Sequence, residues 1–177
     1  ELITTGRNGL YRYRSGDVIE VGGFYKKAPL VKFKYRTNRT INLFAEKMTE
    51  KIIQMGIEDT EKELGLEVTE FLVYPDKESV PPHYIFLIET PFDEPNVSTE
   101  QFREVLEKHL YKYNYRYGDY IGIGWIGHAE VKYLQPETTL LYRDIQIAKG
   151  KALGQIKPVR VIRTEEEKKF FFALSHD

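Results

Sequence analysis

Residues Gly9 to Lys47 decide the fold, and they read GLYRYRSGDVIEVGGFYKKAPLVKFKYRTNRTINLFAEK. Two runs of alternating apolar and polar residues, 10–14 and 18–21, flank the tripeptide Ser15-Gly16-Asp17. Alternation with a period of two residues on both sides of a short polar break is typical of strands joined by a tight turn. The pattern therefore predicts a β-hairpin that carries the carboxylate of Asp17 at its tip.

A third strand, 30–35, is predicted after Ala28-Pro29, and the extended pattern stops at the polar residues 36–39. Three strands with no helix to cover them cannot bury a face by themselves, so we expect residues 1–35 to need a partner. A polar break between two extended runs suits a hinge. The candidate hinge residues are Arg36, Asn38 and Arg39.

The rest of the chain mixes helices and strands. Thr49 is a candidate N-cap, Gly65 a candidate C-terminal glycine, and Ser98 and Gln101 have capping-box spacing. The predicted helices are 50–64, 99–114, 143–152 and 165–174. The predicted strands are an antiparallel pair, 67–74 and 83–90, and a third strand, 128–134, with an irregular strand or bend at 120–127 and an extended run at 156–162. We expect an α+β fold with a small, mostly antiparallel sheet covered by helices.

The composition excludes several classes of protein. Lys plus Arg number 26 and Asp plus Glu 27 in the 177 residues, so the net charge of −1 argues against a nucleic-acid scaffold. Cysteine is absent and the four histidines are scattered, so we expect neither a thiolate nucleophile nor a metal site. No apolar run approaches the length of a membrane-spanning helix. A soluble, cytoplasmic protein without a membrane or nucleic-acid partner is the default expectation.

Two resemblances rest on the opening stretch. YRYRSGDV, from Tyr11 to Val18, resembles the Y-R-x-G-D strand–turn motif of the adenylate-forming superfamily. The longer run from Leu10 to Lys51 resembles the corresponding segment of the GH3 family of acyl-acid amido synthetases, strongly over the first third of the chain and loosely beyond. In that family this segment lies at the end of the large N-terminal domain and crosses into the small C-terminal domain. The resemblance implies that 1–35 is a strand remnant of that domain and that 36–177 is the C-terminal lid domain.

The resemblance also implies an activity and a set of site residues. The parent enzyme would use ATP and Mg²⁺ to activate a carboxylic acid as an acyl-AMP and would then conjugate it to an amine such as an amino acid. Asp17 would hold the ribose of the nucleotide, and Lys47 would be the catalytic cation that reaches the phosphate when the domains close. Lys157, in Gly154-Gln155-Ile156-Lys157, lies roughly where acyl-CoA synthetases carry a catalytic lysine, although a Gly-Gln pair replaces their Gly-Lys.

The residues by themselves leave plainer alternatives open. Ser-Gly-Asp suits any turn, because glycine and aspartate readily adopt turn geometries. Lys47 can be a solvated lysine ahead of a helix, and a surface lysine is the favoured interpretation of Lys157. For the whole chain, the alternative is a non-catalytic α+β binding module whose tyrosine-rich sheet docks a protein or stacks single-stranded nucleic acid, although the near-neutral charge speaks against nucleic acid.

Two further expectations follow from the resemblance. The phosphate loop and the acid-binding pocket of the family lie in the large N-terminal domain, so we expect residues 1–177 alone to be inactive. The front strands would also lose their natural cover. We expect residues 1–35 to self-associate through exposed strand edges and apolar side chains such as Leu10, Ile19, Phe24 and Leu30.

Overall fold

The computed structural model describes the backbone of residues 1–36 and 40–177 and their side chains except those of 34–36. The predicted hinge residues Asn38 and Arg39 lie outside the described residues. The strands are β1 (Ile3–Thr4), β2 (Tyr13–Arg14), β3 (Asp17–Tyr25), β4 (Ala28–Arg36), β5 (Glu70–Asp76), β6 (His83–Glu89), β7 (Glu130–Leu134) and β8 (Ser175–His176). The helices are α1 (Glu50–Leu64), α2 (Thr99–Tyr113), α3 (Tyr115–Gly122), α4 (Thr138–Ala148) and α5 (Glu165–Ala173), with a 3₁₀ turn at Leu153–Gln155.

The main sheet has four strands in the order β5-β6-β7-β8. The pairs β5–β6 and β7–β8 are antiparallel, and β6–β7 is parallel. The predicted α+β class and the antiparallel pairing of 67–74 with 83–90 are confirmed, although β5 begins later, at Glu70. Two smaller antiparallel sheets, β1–β2 and β3–β4, precede it.

Apolar side chains of β6 are buried on both faces of the main sheet, which is why its sequence reads as a continuous apolar run. Because successive side chains of a strand point to opposite faces, Phe86 and Ile88 join the core under α1 and α2, while Leu87 joins a second core under α5. Helices therefore cover both faces. The larger core includes Ile53, Ile57, Phe102, Leu106 and Leu110, and the smaller one Leu72, Leu134 and Phe171.

The predicted caps at both ends of α1 and at the start of α2 are confirmed. Thr49 Oγ1 accepts a hydrogen bond from the Ile52 amide at 3.2 Å, and Gly65 ends α1 in the left-handed region with φ 62°. Ser98 and Gln101 form both hydrogen bonds of a capping box at the start of α2. The short helix predicted at 165–174 is α5, and strand 128–134 is β7.

The predicted front hairpin is wrong. Residues 10–14 contribute only β2, which pairs with β1, and Asp17 is the first residue of β3 rather than the tip of a turn. The real hairpin joins β3 to β4 through Lys26-Lys27, where Lys26 has φ 55°. A two-residue hairpin turn needs residues with positive φ, and lysine is not a residue type from which such a turn is predicted. The Gly22-Gly23 pair, which resembles a turn in the sequence, lies inside β3 at a shift of the strand register.

Three other predictions need correction. Residues 120–127 contain no strand: 120–122 end α3 (Tyr115–Gly122), while 123–126 form a turn and bend, the other of the two predicted alternatives. This helix packs so closely on α2 that a Cβ at Gly118 would lie 2.2 Å from the Tyr111 ring, a contact that sequence periodicity cannot show. The helix predicted at 143–152 is α4, which spans Thr138–Ala148. Of the extended run 156–162, only Val161 forms a β-bridge, to Val73.

The glycine in the middle of α1 is explained by the packing of α1 on α2. A Cβ at Gly56 would lie 2.8 Å from Leu110 Cδ2 and 3.4 Å from Leu106 Cδ1. Both leucines are fully buried, so they have little room to move. Close approach of the two helices therefore depends on Gly56.

We expect Gly56→Ala to lower the free energy of unfolding by about 1 kcal/mol, because overpacking outweighs the better helix propensity of alanine. Gly122→Ala is the matched control, since Gly122 is also helical and a Cβ there has no neighbour within 4 Å. Urea unfolding followed by circular dichroism measures both variants. Equal or higher stability of Gly56→Ala would contradict the proposed packing role.

Candidate functional site

Lys47 lies on a closed loop between residues 40 and 49. A β-bridge joins Thr40 to Thr49, and the Ile41 amide donates to the Met48 carbonyl at 2.7 Å. Lys47 is exposed, while its neighbours Glu46 and Met48 are buried. The loop thus turns one cation to solvent between two side chains that point inward.

The carboxylate of Glu46 organises the inside of this loop. It accepts hydrogen bonds from the amides of Leu43 at 2.7 Å and Phe44 at 3.0 Å, and the Tyr84 hydroxyl lies against it. The side-chain amide of Asn114 donates to the Glu46 carbonyl at 2.8 Å. Burial, and then the neighbouring Glu46 carboxylate, raise the pKa of Tyr84, so that its hydroxyl remains a proton donor.

Lys47 adopts a left-handed backbone conformation with φ 54°. Residues other than glycine reach this region at a cost of about 1 kcal/mol or more, so the surrounding contacts must hold Lys47 there. Strained backbone of this kind clusters at functional sites. Arg12, Lys26 and Glu137 also have a positive φ, so the functional role of Lys47 stays a prediction.

An exposed aromatic cluster lies on the same loop. The ring centroid of Phe44 is 5.5 Å from that of Tyr120 and 4.9 Å from that of Trp125, both in edge-to-face arrangements. Phe44 is 56% exposed and Trp125 is 52% exposed. Edge-to-face aromatic pairs add stability beyond simple burial, so this cluster tethers the outer side of the loop to the end of α3.

Asp17 lies in a different place, at the edge of an open cleft of about 200 Å³. It is half-buried at the start of β3, opposite Arg36 in the β3–β4 register. The cleft is lined by Asp17, Phe33, Glu50, Lys157, Pro158, Val159, Arg160, Val161, Arg163 and Glu167. The structure thus brings together Asp17 and Lys157, which are far apart in sequence, and Lys47 is not among the lining residues.

Arg160 holds the basic side of this cleft in place. Its guanidinium pairs with the Glu70 carboxylate, donates to the Phe71 carbonyl at 3.2 Å and lies 4.6 Å from the centroid of the Phe71 ring. The backbone carbonyl of Arg160 accepts from the Val73 amide at 2.9 Å. These contacts fasten the segment 157–163 to β5, so Lys157 is placed beside Asp17 by the main sheet.

The cleft carries charges of both signs. Lys157 and Arg163 are exposed cations in its lining, and Asp17, Glu50 and Glu167 are carboxylates in the same lining. A ligand that has both a phosphate and hydroxyl donors would suit this mixed lining. The neighbouring cleft, of about 460 Å³, is larger, and its four glutamates, Glu58, Glu61, Glu67 and Glu70, outnumber Lys32 and Arg160, which disfavours a phosphate. Sequence reasoning missed Arg163 and Glu46; the spacing of Lys157, Arg160 and Arg163 was the available signal for the basic wall.

Two kinds of site are not found within the described residues. In the chain outside 37–39, no group of three or more histidine or carboxylate side chains could hold a metal ion. Among the same residues, no helix is both long and apolar enough to cross a membrane.

Comparison with known proteins identifies relatives along nearly the whole chain. Residues 51–166 match the model of the GH3 family C-terminal domain, and residues 1–36 match that of the GH3 family central domain. Indole-3-acetic acid-amido synthetase GH3.4 of Arabidopsis thaliana is 30% identical over 92% of this chain and 28% of its own length. The 4-substituted benzoates-glutamate ligase GH3.12 of the same species is 30% identical over 93% of this chain and 31% of its own length.

A solved structure has the same fold. The GH3.15 acyl acid amido synthetase superposes with a TM-score of 0.74 and 28% identity, over 99% of this chain and 32% of that protein. The chain therefore spans less than a third of the length of the relatives it matches.

The backbone of Lys47 gives a direct stability prediction. Lys47→Gly should raise the free energy of unfolding by about 1 kcal/mol relative to Lys47→Ala, because glycine adopts positive φ without a Cβ clash. Lys26→Gly is the matched control, since Lys26 has φ 55° in an exposed turn. Chemical denaturation of the three variants tests this, and a Lys47→Gly protein no more stable than Lys47→Ala would show that the loop stores no strain.

Proposed function

We propose, because this chain belongs to the GH3 family, that it forms the C-terminal part of an ATP-dependent acyl-acid amido synthetase. The enzyme would activate a carboxylic acid as an acyl-AMP and conjugate it to an amine such as an amino acid. The observation that best supports a nucleotide site is that Asp17, Lys157 and Arg163 line the same cleft.

The proposed reaction has two steps. In the first, a carboxylate oxygen of the acid attacks the α-phosphorus of ATP, and the bond to pyrophosphate breaks. In the second, the amine nitrogen attacks the acyl carbonyl carbon, AMP leaves with the carboxyl oxygen, and the nitrogen loses a proton. Mg²⁺ enters with ATP as part of the substrate.

Asp17 and the cations have distinct roles in this proposal. Asp17 accepts hydrogen bonds from the vicinal ribose hydroxyls, which are stronger for a charged acceptor than for a neutral one. Lys157 and Arg163, which line the same cleft, attract the phosphates. A cation held in place near the α-phosphate stabilises the negative charge that develops in the transition state.

Lys47 could act on a nucleotide at Asp17 only after a domain movement. Since it does not line the cleft with Asp17, we infer that the body of the C-terminal part rotates about residues 36–39 to bring Lys47 to the nucleotide. Arg36 ends β4 opposite Asp17, so a rotation that starts there leaves the ribose anchor in place. Arg36, Asn38 and Arg39 remain the predicted pivot.

The other components of the site lie outside these residues. Because the chain spans less than a third of its relatives, we infer that the phosphate loop and the acid and amine pockets belong to other parts of the protein. The cleft of about 200 Å³ is too small and too open to enclose ATP, which agrees with half a site. Residues 1–177 by themselves are accordingly proposed to be inactive.

We expect Asp17→Ala and Lys47→Ala, made in the full-length protein, to slow ATP–pyrophosphate exchange by about 100-fold. Lys47→Ala should act mainly on kcat, because a cation engaged only on closure acts on the transition state. Lys157→Ala should weaken exchange less, mainly through the KM for ATP. The control is Lys149→Ala, an exposed lysine paired with Glu166 outside the cleft. Exchange unchanged in the Asp17 and Lys47 variants would refute the site.

The β3–β4 hairpin supports the second candidate role, a protein-docking surface. Its exposed apolar side chains are Val21, Phe24, Tyr25, Leu30 and Val31. Exposed apolar strands pair readily with other chains. We infer that the rest of the protein covers this hairpin, and that a second copy covers it when residues 1–177 are isolated.

Light scattering should therefore show residues 1–177 as a dimer or larger species, and a chain beginning near Arg36 as a folded monomer. The variant Phe24→Ser with Leu30→Ser should shift residues 1–177 toward monomer, since both side chains are exposed and neither supports the main cores. A monomeric 1–177 chain, or a 36–177 chain that fails to fold, would contradict the proposed boundary.

A further inference from the structure

We propose that Glu46 is a positioning residue for Lys47: its buried carboxylate holds the loop that turns the lysine outward in its left-handed conformation. The inference rests on the proposed function, in which Lys47 acts on the nucleotide. In this proposal Glu46 affects the reaction rate through the position of Lys47 and does not touch the substrate itself.

The burial of Glu46 is the first observation. The residue is 1% exposed, and glutamate is rarely buried to this degree unless its charge is compensated. Among the residues described around it, the Glu46 carboxylate accepts hydrogen bonds from the Leu43 and Phe44 amides, and the Tyr84 hydroxyl lies against it. These donors compensate the burial of the carboxylate.

The geometry of the donors is the second observation. The two amides belong to the loop itself, at 2.7 and 3.0 Å, so one side chain closes the backbone between Leu43 and Glu46 into a tight turn. Tyr84 reaches from β6, with its hydroxyl against both Glu46 and the Ile41 carbonyl, and its one proton can serve either acceptor. The loop is thereby tied to the centre of the main sheet.

The two loop amides of Leu43 and Phe44 require a hydrogen-bond acceptor at each carboxylate oxygen of Glu46. Glu46 Oε1 meets the Leu43 amide and Oε2 meets the Phe44 amide. Glutamine has nearly the same shape, but its NH₂ group would face one of these amides donor to donor and leave it unsatisfied. Glu46→Gln is therefore a specific way to loosen the loop without opening a cavity.

The consequence for Lys47 follows from its place beside Glu46. A lysine on a preformed loop loses little freedom when it engages the nucleotide, whereas a lysine on a loosened loop must be ordered during the reaction. This cost falls on the closed state in which the cation acts. It therefore appears in kcat rather than in the KM for ATP.

A double-mutant cycle in the full-length protein tests the coupling. We expect Glu46→Gln to reduce the kcat of ATP–pyrophosphate exchange about tenfold or more with the KM for ATP within about twofold. In a Lys47→Ala background, the same Glu46→Gln change should have no further effect on kcat, because the cation that it positions is gone. Tyr84→Phe removes one donor to the carboxylate and should show the same non-additive pattern, more weakly, if Glu46→Gln does not fold.

Glu89→Gln is the matched control. Glu89 is another buried carboxylate, 4% exposed, and it accepts from the Thr139 amide at 2.9 Å at the opposite end of β6 from Tyr84. Its substitution should lower stability, and any effect on kcat should be the same with or without Lys47.

The outcomes separate the two proposals. If Lys47→Ala slows exchange but Glu46→Gln and Tyr84→Phe act additively with it or have no effect on kcat, the positioning role is overturned while the proposed function stands. If Lys47→Ala leaves exchange unchanged, the role of Lys47 in the proposed function fails, and the positioning role fails with it. Non-additivity confined to the Glu46 and Tyr84 variants supports the inference.

Discussion

The burial of β6 on both faces is the constraint on which the rest of the structure depends. Alternate side chains of this strand enter the two cores, so helices must cover both faces of the sheet. Tyr84, near the start of β6, extends this constraint to the candidate site. Its ring is fully buried, and its hydroxyl reaches the Glu46 carboxylate in the loop of Lys47. The position of the lysine is therefore set by the core of the sheet.

The edge of the same sheet supports the second part of the site. Arg160 joins the segment before α5 to Glu70 and Phe71 of β5, and that segment carries Lys157 to the cleft at Asp17. The charge of Arg160 is matched by Glu70 and covered by an aromatic ring, so it serves as an anchor rather than as a ligand-binding cation. The exposed Lys157 and Arg163 are left as the cations that an anion could reach.

Capping residues and apolar periodicity in the sequence predicted the two long helices, α1 and α2, because both features act within a few residues along the chain. Both long helices carry side-chain caps at their first turn, and the apolar face of each is continuous, so their bounds were accessible from the sequence. The front hairpin was misplaced because the turn signal lies at Ser15-Gly16-Asp17 while the real turn is Lys26-Lys27. Helix α3 was missed because its glycines suggest an extended run unless the packing of Gly118 on Tyr111 is known.

The site was predictable only in part, for a similar reason. Asp17, Lys47 and Lys157 emerged from family resemblance, but nothing local shows that Asp17 and Lys157 share a cleft, since their proximity depends on the docking of distant segments on β5. The sequence did not indicate a role for Glu46, because a glutamate that becomes buried cannot be distinguished in the sequence from an exposed charge in a polar loop. Its importance becomes visible only through Leu43, Phe44 and Tyr84.

The separation of the two lysines bears on the two steps of the proposed reaction. In that proposal, adenylation would develop charge on pyrophosphate that an additional cation stabilises, whereas attack of the amine on the acyl-AMP would release AMP alone. Because the main sheet holds both lysines, a rotation that brings Lys47 to Asp17 carries Lys157 away from it, and the two cations would act in different steps. A cation on a separate, rigid loop can be brought in for one step and withdrawn for the other, and Lys47 has that placement. Rigidity in the loop and mobility at the hinge are then complementary, because the rotation delivers a side chain whose local geometry is already set by Glu46.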